Sequence, residues 1–165
     1  MTEAEIARIA AAVAAAVGSE GSSGPENMTL KAARALIAKV EQKAAEIGVK
    51  AVIAVADRGA HPVAVACMDG AYIASYDIAV NKAYTCAALQ MPTTELKGLS
   101  QPGQPLYGIQ FTNGGRIVIF GGGVPLKSGG QTIGALGVSG GTEEQDTYLA
   151  AYGEAAFAEL LPSLA

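Results

Sequence analysis

The 165-residue chain reads as an α+β protein built on an antiparallel sheet. Three observations predict this. Strand-like runs come in groups, two and then three, and do not alternate with helices as βαβ units would. Glycines mark tight turns between those runs, in Asp57-Arg58-Gly59-Ala60 and Gly129-Gly130. Helix start and stop signals bracket the segments before, between and after them.

The elements follow in order. Thr2 can cap a first helix over residues 1–18, with Glu3 and Glu5 in its first turn. Ile6, Ile9, Val13 and Val17 share one face of it, and Gly18 is a stop. Residues 19–27 have the composition of a flexible linker, and the domain proper is expected over 28–165. A short amphipathic helix on a tether cannot bury its stripe alone, so it must dock, on its own oligomer or on another protein.

Asn27 or Thr29 opens the next helix. Leu30, Ala33, Ile37, Val40, Ala44 and Ile47 repeat at spacings of three and four, and Gly48 ends it. Lys50–Asp57 and His61–Met68 form a predicted hairpin. A helix is expected from about Ile73 to Gln90, stopped by Pro92, and a short one from Thr93 or Thr94 to about Leu99. Arg116–Phe120, Val124–Pro125 and Thr132–Ser139 read as three further strands. Thr142-Glu143-Glu144-Gln145 has the capping-box pattern and starts the last helix, to about Leu160.

Composition narrows the function. The net charge is −4, aromatics are 5% and Trp is absent. A basic stripe suited to nucleic acid is missing. No run is long and apolar enough to span a membrane. Cys67 and Cys86 stand in unrelated segments and read as free thiols of a reducing, intracellular compartment.

Chemistry concentrates in an acid-free stretch. From Leu96 to Thr142 there is no Asp or Glu, and 14 of the 21 glycines fall there. Ser139-Gly140-Gly141-Thr142 lies between a strand and a helix start, where exposed amides under a helix dipole suit a carboxylate or phosphate. The alternative is that the capping box simply satisfies the helix end. Asn113-Gly114-Gly115-Arg116 offers a second group of amides and a cation. Lys82, mid-helix among alanines, either snorkels to solvent or presents a fixed ammonium. His61 is the single histidine. It reads as a rim residue, or as one axial ligand to haem, for which one imidazole suffices. Nucleotide motifs are absent.

Six ordered segments carry a resemblance: Val65–Ala71, Asn81–Thr85, Pro105–Gly108, Asn113–Arg116, Gly121–Pro125 and Gly137–Thr142. Together they resemble the GlcG/HbpS-like family, which includes the C-terminal domain of PduO. The resemblance covers about Met28 to Leu160. It implies a profilin-like fold, a five-stranded antiparallel sheet with helices on both faces. It implies homo-oligomers, tetramers or octamers, and haem binding in some relatives. It places the haem histidine of PduO-like relatives toward the first domain helix. Leu30–Ile47 has none, so His61 would be a different solution. The chain looks most like members encoded with bacterial microcompartments. On that resemblance residues 1–18 look like an encapsulation peptide that binds a shell protein.

Three functions are therefore expected. One is an oligomeric auxiliary protein, cytoplasmic or in a microcompartment lumen, that holds haem, another tetrapyrrole or a small anion through Lys82, Asn113–Arg116 and Ser139–Thr142. The second is an enzyme in which Lys82 and Arg116 act on a small oxygenated substrate. The third is a structural oligomerisation module.

Overall fold

In a computed structural model, the protein is described at residues 24–163 and at residues 2, 4, 6 and 7. Of the predicted first helix, Ile6 is half exposed. Ile9, Val13 and Val17 lie outside the described residues, as do residues 19–23 of the linker.

Helix α1 spans Leu30–Glu46, and Thr29 caps it by accepting from the Ala32 amide. Asn27, the other candidate, instead accepts from the amides of Met28 and Arg58. The hairpin follows as β1 (Val52–Asp57) and β2 (Pro62–Cys67). Helices α2 (Ser75–Leu89) and α3 (Thr93–Leu99) come next. A long loop with two short 3₁₀ turns leads to β3 (Gly123–Ser128) and β4 (Gln131–Ser139). Helix α4 spans Glu143–Leu160, and its capping box forms between Thr142 and Gln145.

The sheet is antiparallel with strand order β2-β1-β4-β3. It has four strands, not five, so the five-stranded profilin-like expectation is wrong. The missing strand is Arg116–Phe120. Its backbone is bound by side chains in place of a ladder. The Val118 amide donates to Thr85 Oγ1, and the Gly121 amide donates to Glu143 Oε1. Left-handed φ at Asn113, Gly114 and Gly115 turns the chain just before it. The segment thus lies across α2 and α4 without joining the sheet.

Helices cover both faces, as expected. The face of Ile53, Val55, Leu136 and Val138 meets α1 and α4 through Leu36, Val40, Leu149 and Phe157. That face is a conventional core of branched and aromatic side chains. The opposite face is thin. Val52, Ala54 and Ala56 meet Ala79 and Ala83 of α2. Gly137 has no room for a side chain there, because a Cβ would strike Ala79 O and the Ala83 amide. Several of the chain's glycines therefore serve helix–sheet contact.

Candidate functional site

The thin face determines what Lys82 can do. It points from α2 across β4 and is wholly buried. Its ammonium donates to Val138 O at 2.7 Å and to Asp146 Oδ2 at 3.0 Å. The Phe120 ring lies over it, with the centroid at 4.9 Å. Burial pulls the Lys82 pKa below its ordinary value, and the neighbouring Asp146 carboxylate opposes that. Gly122 closes the remaining space, since a Cβ there would meet Lys82 Nζ at 2.5 Å.

Asp146 also explains the Ser139–Thr142 turn. Its Oδ1 accepts from the amides of Gly140 at 3.1 Å and Gly141 at 2.9 Å. The Thr142 amide goes to Gln145 Oε1. The amides that suit an anion thus already hold one, the chain's own Asp146. Lys82 and Asp146 form a buried pair, and Asp146 ties it to the partly exposed turn.

Asn113–Arg116 belongs to a different place. Asn113 Nδ2 donates to Tyr84 Oη, Arg116 Nε donates to Asn81 Oδ1, and the guanidinium stacks 3.7 Å from the centre of the Tyr84 ring. The turn is clamped on the outer side of α2. The structure therefore unites Lys82 with Ser139–Thr142 and leaves Asn113–Arg116 apart.

Around the Gly140–Gly141 turn the surface opens into adjoining clefts. One of about 320 Å³ is lined by Tyr72, Ala74, Ser75, Ile78 and Phe120, with Glu143 and Asp146 at its edge. It is mainly apolar, with a hydroxyl pair, Ser139 Oγ to Ser75 Oγ at 3.2 Å, at its base. Tyr72, Gly140 and Gly141 also border a polar cleft of about 190 Å³ that contains Lys50 and Gln145. Lys50 in turn borders an apolar hollow of about 450 Å³ with Ala45, Val49, Met68 and Asp69. The three share walls and form a trough at one end of the sheet. Among the described residues Lys50 makes no ion pair.

Sequence reasoning missed Lys50 and Tyr72. The available signal was a lysine directly after the helix stop Gly48, where a strand leaves the end of the sheet. His61 is at the opposite end of that hairpin. Its side chain is 81% exposed, and Nδ1 is 3.4 Å from Asp57 Oδ1. Cys67 is exposed, while Cys86 is buried and burial pushes its thiol up to about 12.

A haem iron needs an axial ligand such as imidazole, thiolate, thioether or tyrosinate. The apolar cleft presents no nitrogen or sulfur donor, and its oxygen donors include the Tyr72 phenol. Met68 lines the far hollow, but its Sδ accepts from the Ala51 amide. A single chain therefore does not fit an imidazole-ligated haem in this trough. An apolar ring edge with a carboxylate tail does fit it, with Ile78 and Phe120 on one side and Lys50 on the other.

Fold and trough define a small helix–sheet–helix domain, open at one end of the sheet. The chain belongs to the family described as haem degrading protein HbpS-like, matched over residues 28–155. It is 49% identical over 133 residues to a 15.0 kDa protein of the dhaT-dhaS intergenic region of Citrobacter freundii, covering 81% of this chain and 94% of that one. It is 38% identical over 108 residues to the corrinoid adenosyltransferase PduO of Citrobacter freundii, covering 66% of this chain but only 32% of PduO. Among solved structures, Klebsiella pneumoniae ORFY superposes with a TM-score of 0.78 at 48% identity, over 79% of this chain and 90% of that one. A PduOC–heme complex superposes with a TM-score of 0.76 at 33% identity, over 79% and 94%. A double mutant of Streptomyces reticuli HbpS gives 0.70 at 27%, over 79% and 86%.

Proposed function

We propose that this protein is an oligomeric auxiliary protein that holds a small molecule with an apolar body and a carboxylate tail, with haem or a related tetrapyrrole the foremost candidate. The trough carries this reading. Tyr72, Ala74, Ile78 and Phe120 offer an apolar wall, and Lys50 offers a cation beside it. Apolar walls with a few placed polar groups are the usual form of a small-molecule site. The relationship to PduOC, solved as a heme complex, and to HbpS supports the tetrapyrrole. When bound, haem would supply redox and oxygen chemistry at its iron. The residues of one chain would hold its ring edge and propionates.

The test is titration with haemin and with metal-free protoporphyrin. Both should bind to the oligomer, and Lys50→Ala should weaken each several-fold without moving the melting temperature. Absence of any spectral or thermal shift with either compound would sink the proposal.

The enzymatic alternative would need Lys82 and Arg116 at one substrate. Lys82 is instead held by Asp146 and Val138 O, and Arg116 by Tyr84 and Asn81.

We further propose that residues 1–18 are an encapsulation peptide and that the protein works in a microcompartment lumen. The stripe of Ile6, Ile9, Val13 and Val17 and the Gly/Ser-rich linker support this. Deleting residues 1–24 should abolish co-localisation with a shell protein; co-localisation of the truncated chain would end the idea.

A further inference from the structure

Strand β2 forms one edge of the sheet, and among the described residues no strand covers its outer side. Edge strands of monomers are normally blunted by charges, because their unpaired N–H and C=O groups invite another chain. From Pro62 to Met68 this edge reads Pro-Val-Ala-Val-Ala-Cys-Met, with no charge at all. Only Pro62 and the bulge opposite Val55/Ala56, which falls at Val63, protect it, and both sit at its first two residues.

The hydrogen bonds fix which groups are open. The Met68 amide donates inward to Ala51 O, and Ala66 and Ala64 lie opposite Ile53 and Val55 in the same phase. In an antiparallel ladder alternate residues face opposite sides. The N–H and C=O groups of Val65 and Cys67 therefore point away from the sheet, while the bulge at Val63 breaks the alternation and packs Val63 on the same core as Ala64. Two copies of such an edge can pair only odd with odd. A two-fold register centred on Val65 satisfies this, with Val65 opposite Val65 of the partner subunit. It also sets the turn end of one hairpin, with Asp57, Arg58 and His61, against the end carrying Asp69 of the partner subunit, so that Arg58 comes within reach of that carboxylate.

We propose that β2 pairs with β2 of a second copy in this register, joining two four-stranded sheets into one of eight strands. The homo-oligomer proposed above is the basis for this, and it gives that assembly a specific interface. It also has a consequence for the site. Asp69 lines the trough hollow beside Lys50 and Met68. Pairing brings His61, remote from the trough within one chain, to the rim of the other chain's trough. The imidazole missing from a single-chain trough would then come from the neighbouring subunit.

Cysteine pairing tests the register. Hydrogen-bonded antiparallel partners have Cα atoms about 5.5 Å apart, within the disulfide range of about 4.4–6.8 Å. In a Cys67→Ser background, Val65→Cys should therefore cross-link to its own counterpart in a second copy under oxidised glutathione and give a covalent dimer on non-reducing gels. Ala64→Cys, one residue out of phase, should not. Val65→Pro removes an outward N–H without touching the bonds to β1, so the chain should stay folded by circular dichroism while its mass by light scattering falls two-fold. A monomeric wild-type protein would overturn both the oligomer and this interface. A wild-type oligomer whose Val65→Cys variant forms no cross-link, or whose folded Val65→Pro variant keeps its full mass, would overturn the interface alone. If Val65→Pro does not fold, the cross-link decides.

Discussion

Lys82 and Asp146 show how one buried pair can organise a whole turn. Asp146 has three partners: the Lys82 ammonium and the amides of Gly140 and Gly141. Lys82 has one other acceptor, Val138 O. Removing either partner leaves a buried charge, which costs about 3–5 kcal/mol when nothing replaces it. The two deletions should nonetheless differ. Lys82→Met leaves Asp146 with its two amides. Asp146→Ala leaves a wholly buried ammonium with one carbonyl and also frees the Gly140 and Gly141 amides of the partly exposed turn. Asp146→Ala should therefore be the more destabilising by urea midpoint, and equal effects would contradict this account. The cysteines differ in a similar way. Cys86 is buried with its thiol near 12, while Cys67 is exposed at the sheet edge. Ellman's reagent at neutral pH should find one fast thiol per chain in the native protein and two after denaturation. Two fast native thiols would mean that α2 does not cover Cys86 as described.

Elements with local signals were legible in the sequence, and elements decided by long-range side chains were not. The periodicity of α1, the Gly-bearing hairpin turns and the capping box of α4 are all short-range, and each appears as expected. Arg116–Phe120 has the composition of a strand, yet the hydroxyl of Thr85, 33 residues away, takes the Val118 amide. Sequence spacing gives no sign of that. The site was legible in the same partial way. The amides of Ser139–Thr142 were visible as an anion cradle, but Asp146, inside the next helix, was not seen as the occupant. Lys50 escaped because it borders the trough only once α1, β1 and α4 are brought together. Glu143 shows the linkage between elements. It accepts from Lys97 of α3 at 2.7 Å and from the Gly121 amide at 2.8 Å. These bonds, the Lys97 bond first, hold its carboxyl below the usual range. A carboxyl with a lowered folded pKa stabilises fully above its unfolded pKa of about 4.3 and loses that contribution as pH falls through the folded value. Glu143→Gln should therefore flatten the acid limb of the stability curve below about pH 4.5, and an unchanged limb in urea titrations would remove Glu143 from the account.

At the scale of the molecule, the two faces of the sheet have different jobs. The α1/α4 face holds the bulk of the chain's large apolar side chains, and Leu136 there is wholly buried. The α2 face is mostly alanine and glycine, and it sets where Lys82, Ser75 and the trough wall lie. Global stability should therefore depend mostly on the first face and trough geometry on the second. Leu136→Ala removes volume from the thick core and should cost about 2–5 kcal/mol. Ala83→Val adds volume where α2 already touches the Gly137 backbone, and overpacking of this kind costs about 1–3 kcal/mol. The distinction is in where the loss appears. Native-state hydrogen exchange of the Gly140 and Gly141 amides reports the Asp146 network directly. In Leu136→Ala those amides should lose protection only in step with the most protected core amides, because the fold opens as a whole. In Ala83→Val they should exchange faster while the β1 and β4 core amides hold, because pushing α2 outward withdraws Lys82 from Asp146 and loosens the turn. Uniform loss of protection in both variants would mean that the two faces form one cooperative unit, with the trough no more sensitive to α2 than to the core behind it.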